Sequence, residues 1–257
     1  MSTATVTWLQ VAPSVLLVAV AIAVAARQRF GLTRDLIVAA VRAAGQLAAV
    51  GVILLALFQH AGLLGAAGWV GLMVLAAGQV AGRRGRGVPH ARLLATLAVA
   101  VGSLVSLASL LVLRILPAQP EVVVPIGGMI VATAMQATGL TMLRLVESVR
   151  EARPRIEARL ALALPVEDAF APHRRSAART ALLPAIDSTK VVGLISLPGA
   201  MTGLILAGID PLTAIRYQLV VMYMLLAAAT VAAAVATRLA QRRLFDTTAH
   251  RLHRGPD

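Results

Sequence analysis

Apolar residues gather into seven long runs, at 8–26, 36–58, 63–81, 93–116, 122–143, 191–207 and 213–236. At 1.5 Å per residue a helix of about 20 residues crosses roughly 30 Å of hydrocarbon, so each run is of spanning size. The runs do not alternate apolar and polar positions as barrel strands do, and backbone groups have no water partner in lipid, so each is predicted to be helical. The expected fold is therefore all-α: a polytopic membrane protein with about seven transmembrane helices in one domain over residues 1–257. The longest interruption, residues 144–190, is read as a loop containing an amphipathic helix over 151–164, with Ile156, Leu160 and Ala163 or Leu164 on one face. Such a helix could lie on the membrane surface or enter a partner's groove.

Charge orients the spans. Residues 1–7, 59–62, 117–121 and 208–212 contain no Lys or Arg, whereas the alternate segments hold three, four, nine and five. Positive residues stay on the cytoplasmic side, which predicts an outside N-terminus and a cytoplasmic C-terminus. Seven spans fit this alternation and six do not. The first run lacks a basic segment before it and is read as a retained span rather than a cleaved signal.

Composition then narrows the function. The chain has 257 residues, 59% of them hydrophobic, a mean hydropathy of +0.84 and a formal net charge of +13. That charge would suit nucleic acid, but aromatic residues make up only 3%, too few for base stacking, so the lipid bilayer and not a nucleic acid is the expected partner. Cysteine is absent, which removes disulfides and thiolate chemistry. All eleven acids and all five histidines fall outside the middle of the runs, so an embedded carboxylate relay of the kind used by proton-coupled carriers is not expected. The single lysine, Lys190, lacks the glycines of a phosphate-binding loop, and H-E-x-x-H and G-x-S-x-G are both missing. The chain is not expected to be an enzyme or to bind a cofactor of its own. A permease or channel powered, if at all, from outside remains.

Several positions within the spans are candidates for a pathway. Arg42 lies inside the second run with Gln46 one turn on; it either snorkels to the interface or contributes with Gln46 to a solute path. The fifth run carries Thr133, Gln136, Thr138 and Thr141 beside Met129, Met135 and Met142, which either line a path or pack between helices. Pro198, Gly199 and Gly203 should break the sixth run near its middle, and broken helices in membranes mark hinges and solute sites. Small residues recur at Gly78-x-x-x-Gly82, read as helix contact within the chain or as a dimer seam.

Longer blocks carry a family resemblance. Pro125-Ile-Gly-Gly-Met-Ile, Ala134-Met135, the 156–162 segment, Pro184-Ala-Ile-Asp187-Ser-Thr-Lys190 running on to Gly203, and Asp210-Pro-Leu-Thr-Ala-Ile-Arg216-Tyr217-Gln218 resemble the FetB (YbbM) family of ABC-transporter permeases. Its bacterial members are described as iron exporters and its plant relatives as aluminium-tolerance proteins. The resemblance implies a separate ATP-binding subunit that holds ATP and Mg, a permease homodimer, and a place in the bacterial inner membrane. It implies that Glu157, Leu160 and Leu164 dock the ATPase, that Asp187 and Lys190 link loop to span, and that Pro198, Gly199 and Gly203 form a hinge. Arg42, Gln46, Met129, Met135, Gln136 and Met201 become pathway positions, and Asp210, Arg216, Tyr217 and Gln218 an outer gate. Ala163 stands where the family has a glycine, and Ala132-Thr133 where it has Gly-Asn. Iron and aluminium prefer hard oxygen ligands, which the spans do not supply as carboxylates, so the metal ligands are unassigned and the cargo is either a hydrated or chelated ion or not a bare metal.

Overall fold

The structure, a computed structural model, describes residues 13–60, 62–246 and 251–252. It divides into two units, residues 1–62 and 63–257.

The first unit holds α1 (Ser14–Arg27) and α2 (Thr33–His60). Arg29 closes α1 in the left-handed conformation, with Phe30 N–H bonded to the Ala25 carbonyl at 3.1 Å. Of the first predicted run, residues 8–12 lie outside the described residues, and the described helix has 14 residues, about 21 Å of rise. Helix α2 covers the second run and is long and apolar enough to span a membrane.

The second unit is built from α3 (Gly62–Arg84), α4 (Ala91–Val112), α5 (Pro120–Ala161), α6 (Val166–Val191), α7 (Gly199–Leu206) and α8 (Pro211–Leu244). After α8, two-residue strands β1 (Phe245–Asp246) and β2 (Arg251–Leu252) pair antiparallel. Helices α3, α4, α5 and α8 are of spanning length and hydropathy. They pack through small residues. A Cβ on Gly102 of α4 would stand 2.8 Å from the Ala232 Cβ of α8 and 2.9 Å from the Ala228 carbonyl. Gly78 and Gly82 of α3 abut Thr96 and Arg92 of α4, so that pair serves contact within the chain.

Two expectations are corrected. Residues 144–190 form a helical hairpin instead of a loop with a short helix. Helix α5 runs without interruption from its apolar half to Ala161, 42 residues, and α6 returns over 26. Pro154 does not end α5, because it lies exposed, where the carbonyl it frees can meet water. The hairpin closes on Ala163, whose φ is +60°, with Leu164 N–H bonded to the Arg159 carbonyl at 3.2 Å and Ala163 N–H to Leu160 at 2.9 Å. Those two bonds are the usual helix-ending pair that a left-handed residue allows.

The sixth run is not one helix either. Residues 192–198 turn between α6 and α7, with Gly193 at φ +80° and Pro198 extended as the cap of α7. Proline has no N–H and disfavours helix in the residue before it, so α6 cannot run through into α7. The sixth run is thus divided between the end of α6, the turn and the eight residues of α7.

The main core sits where the hairpin meets the bundle. Ile156, Leu160, Ala169 and Phe170 pack with Met142, Leu145 and Leu244. Phe170 is fully buried and meets Phe245 edge-on, ring centroids 5.0 Å apart. Arg174 of α6 donates to Gln241 Oε1 of α8 at 2.9 Å, tying the hairpin to the last helix.

Candidate functional site

One face of α5 and one face of α8 define a groove. On α5 the positions are Glu121, Pro125, Met129, Thr133, Gln136 and Leu140, at helical spacing of three or four; on α8 they are Gln218, Val221, Met222, Leu225 and Ala229. Two cavities lie along it. At the end where α5 and α8 begin, a cavity of about 270 Å³ is lined by Glu121, Met129, Tyr217 and Gln218 and closed by Ala200, Met201 and Leu204 of α7. At the basic end, a cavity of about 510 Å³ is lined by Thr133 and Gln136 of α5, Ser188 and Thr189 of α6, Met222 and Leu226 of α8, and Arg84 of α3.

The first cavity brings together four predicted residues that are up to 89 positions apart in the chain: Met129, Met201, Tyr217 and Gln218. Gln218 is 4% exposed and its Oε1 has no hydrogen-bond partner among the described residues. A buried unpartnered amide costs about 1–3 kcal/mol, so its position in a cavity wall is unfavourable for folding alone. The larger cavity includes two predicted residues, Thr133 and Gln136. Its hydroxyls are oriented by their own helices: Thr133 donates to the Met129 carbonyl at 3.0 Å, and Ser188 and Thr189 to the Ala185 carbonyl at 3.0 and 2.7 Å.

Other predicted residues lie elsewhere. Met135 packs against the hairpin core, away from both cavities. Asp210 caps α8, its Oδ2 accepting from the Thr213 N–H at 3.0 Å, and Arg216 is exposed. Pro198, Gly199 and Gly203 lie at the break and along α7, with open space beside both glycines. Asp187 and Lys190 are exposed near the end of α6, and neither is ion-paired among the described residues. Glu157 is exposed and paired with Arg153 at 2.8 Å, Leu164 is 36% exposed, and Leu160 is 5% exposed within the core. Arg42 and Gln46 are both exposed on α2, in the other unit.

Arg84, Glu121, Ser188 and Thr189 are cavity residues that sequence reasoning did not select. Arg84 had been one basic loop residue among several. Its approach depends on Gly139, where a Cβ would lie 3.1 Å from Arg84 Cδ, a contact between positions 55 apart that no local pattern announces. No group of three or more His, Asp or Glu that could hold a metal occurs among the described residues.

Residues 8–245 match the family described as uncharacterised protein family UPF0014. The chain belongs to that family. Three relatives span nearly all of it. The UPF0014 membrane protein STAR2 of rice (Oryza sativa subsp. japonica) is 41% identical over 89% of this chain and 80% of its own length. The Arabidopsis thaliana protein ALUMINUM SENSITIVE 3 is 37% identical over 94% and 88%. The Escherichia coli protein named probable iron export permease protein FetB is 36% identical over 91% and 90%. No solved structure matches the chain. The resemblance to the FetB family read from the 184–218 block and its neighbours is thus correct, and the protein is a multi-pass UPF0014 membrane protein of the permease type.

Proposed function

We propose that this chain is the permease subunit of an ATP-driven transporter that moves a metal-containing solute outward through the α5–α8 groove. ATP and Mg belong to a separate subunit, and two copies of the permease form the membrane part. The observation that carries the reading is the continuity of α5. The helix whose first half lines both cavities continues, with Pro154 within it, as one 42-residue element to the hairpin tip, so the tip and the cavity wall carrying Gln136 and Met129 belong to a single helix. Similarity to a relative named for iron export, and the lack of a phosphate-binding loop, support the same reading.

The hairpin offers the ATPase an exposed Glu157 and Leu164 on a base made rigid by Ile156, Leu160 and Phe170. Leu160 acts from inside by holding that base. When the ATPase subunits close, the hairpin moves as a body, α5 tilts against α8, and the break at 192–198 lets α7 follow, with Pro198, Gly199 and Gly203 absorbing the change. Asp187 and Lys190 sit at the end of α6, where hairpin motion passes to the break.

Affinity purification of the tagged chain from its native membrane, followed by mass spectrometry, tests this. A Walker-type ATPase is expected with the wild type and should be lost in the Glu157→Lys, Leu164→Asp variant, whose substitutions are on the surface and leave the core intact. Recovery of the chain without an ATPase, in detergent that preserves a reference ABC complex, would overturn the proposal in favour of an ATP-independent channel.

A further inference from the structure

We propose that the larger cavity binds a hydroxylated oxyanion, so that a metal cargo passes as an anionic chelate and not as a bare cation. The inference deepens the permease reading by naming its class of solute.

Charge is the first argument. Arg84 is the only charged side chain lining the cavity among the described residues. It has no ion-pair partner among the described residues, where the pairs are Arg144 with Glu147 and Arg153 with Glu157. Asp187 neighbours Ser188 in sequence but is not part of the lining. Arg84 is exposed at the end of α3 and its guanidinium lies at the edge of a cavity otherwise walled by groups such as Leu140, Met222, Leu225 and Leu226, where it repels a cation and attracts an anion. Its planar fork matches carboxylate or phosphate oxygens.

Hydrogen bonding is the second. The Thr133, Ser188 and Thr189 hydroxyl hydrogens are committed to backbone carbonyls, which leaves their oxygens as acceptors. Arg84 and the Gln136 amide are the donors to a ligand. A solute that fills this set presents anionic oxygens to Arg84 and hydroxyl donors to the threonines and serine. A cavity of about 510 Å³ is of small-molecule size and far larger than one ion needs.

The Arg84 stem also passes close to α5. It lies over Gly139, where a Cβ would approach Cδ to 3.1 Å and Nη1 to 3.6 Å, while the Ala81 backbone would remain at an ordinary 3.5 Å. An alanine at 139 therefore pushes the guanidinium without forcing α3 away from α5.

The test is isothermal titration of the purified full chain in nanodiscs, without an ATPase, using citrate, ferric citrate and Fe²⁺ alone. Citrate or its ferric complex is expected to bind. Arg84→Gln should weaken binding at least about tenfold, Arg84→Lys should weaken it less, and Gly139→Ala should fall between wild type and Arg84→Gln. A cation site gives the opposite sign, since removing a positive charge tightens Fe²⁺. Binding of Fe²⁺ alone that is unchanged or tightened by Arg84→Gln overturns the proposal, as does failure of both citrate forms to bind, or citrate binding indifferent to Arg84. Comparison of citrate with ferric citrate tells a free anion from a chelate. Because no ATPase is present, anion binding without ATPase co-purification would overturn the transporter reading alone, and the converse result would overturn only this site.

Discussion

Ala163 is held at φ +60° at the tip of the hairpin, and the geometry sets a magnitude for replacing it. A residue with a Cβ in the left-handed region loses about 1–2 kcal/mol. Glycine avoids that cost but loses about 0.4–1 kcal/mol more entropy on folding than alanine. The net expectation for Ala163→Gly is a gain of about 0.5–1 kcal/mol, because the two bonds that depend on this conformation, from Leu164 to Arg159 and from Ala163 to Leu160, are already formed. At about 1.4 kcal/mol per factor of ten, hydrogen exchange of the amides at the tip should slow roughly two- to fivefold in local opening. The assay is exchange with mass spectrometry on the nanodisc-embedded chain, following peptides over 156–170, with Ala163→Val as the opposite perturbation, since a β-branched residue fits this region worse. Exchange in Ala163→Gly that is equal to or faster than wild type would refute the reasoning and place the strain elsewhere in the hairpin.

Gly102→Ala should destabilise the bundle by about 1–3 kcal/mol, because both neighbours, the Ala232 Cβ at 2.8 Å and the Ala228 carbonyl at 2.9 Å, belong to α8 and neither is a flexible tip; a thermal unfolding series in detergent measures it, and an unchanged midpoint contradicts the α4–α8 contact. His173, in the hairpin beside Phe170, has its pKa lowered from 6.5 by burial and then by the positive charges of Arg159 and Arg155. The folded state thus binds this proton less readily than the unfolded chain, so the hairpin keeps its full stability above about pH 6.5 and loses it as pH falls through the lowered folded value; His173→Gln should flatten that slope in a pH series of exchange rates. Gln218→Leu removes a buried unpartnered oxygen and should raise thermal stability while reducing solute movement in vesicles; a loss of stability would show that the amide is satisfied after all.

How much of this was legible in the sequence follows from the range of the forces involved. Hydropathy marked α2, α3, α4, α5 and α8, the helices long and apolar enough to span a membrane, because that signal is summed over about twenty neighbouring positions. Amphipathic spacing found Ile156 and Leu160 but not what they face: Leu160 was taken as a docking contact, yet its partners are Phe170 and the bundle end, supplied by residues far along the chain. The same spacing could not show that α5 continues through Pro154, since a proline interrupts a pattern on paper and is tolerated when its freed carbonyl reaches water. Met129, Met201, Tyr217 and Gln218 were each selected for local reasons, and the α5–α7–α8 packing makes them one cavity wall. Arg84 was missed because its meaning comes from Gly139, through a gap defined by a side chain that is not there.

The two cavities carry opposite charges, Arg84 in one and Glu121 in the other, separated on α5 by about 22 Å between Glu121 and Gln136. The break at 192–198 leads into α7, which lines the smaller cavity. Its apolar side chains, Leu194, Ile195 and Leu197, point outward and are 60–87% exposed, whereas Ala200 and Met201, which carry N–H groups of the first turn of α7 and so lack helix partners, line the cavity with Glu121. On the proposed path, an oxyanion leaving Arg84 along α5 passes the cavity lined by Glu121, Ala200 and Met201. A fixed charge cannot rectify movement, so on the proposed anion path the Glu121 carboxylate raises the barrier equally for exit and entry, and direction comes from the ATP-driven step. Replacing the carboxylate with an amide of the same size, Glu121→Gln, should leave citrate binding at Arg84 within about twofold but raise the entry of labelled citrate from the Glu121 side of vesicles when ATP is absent. Unchanged entry from that side would remove the barrier role and leave Glu121 as the favourable first-turn acid of α5.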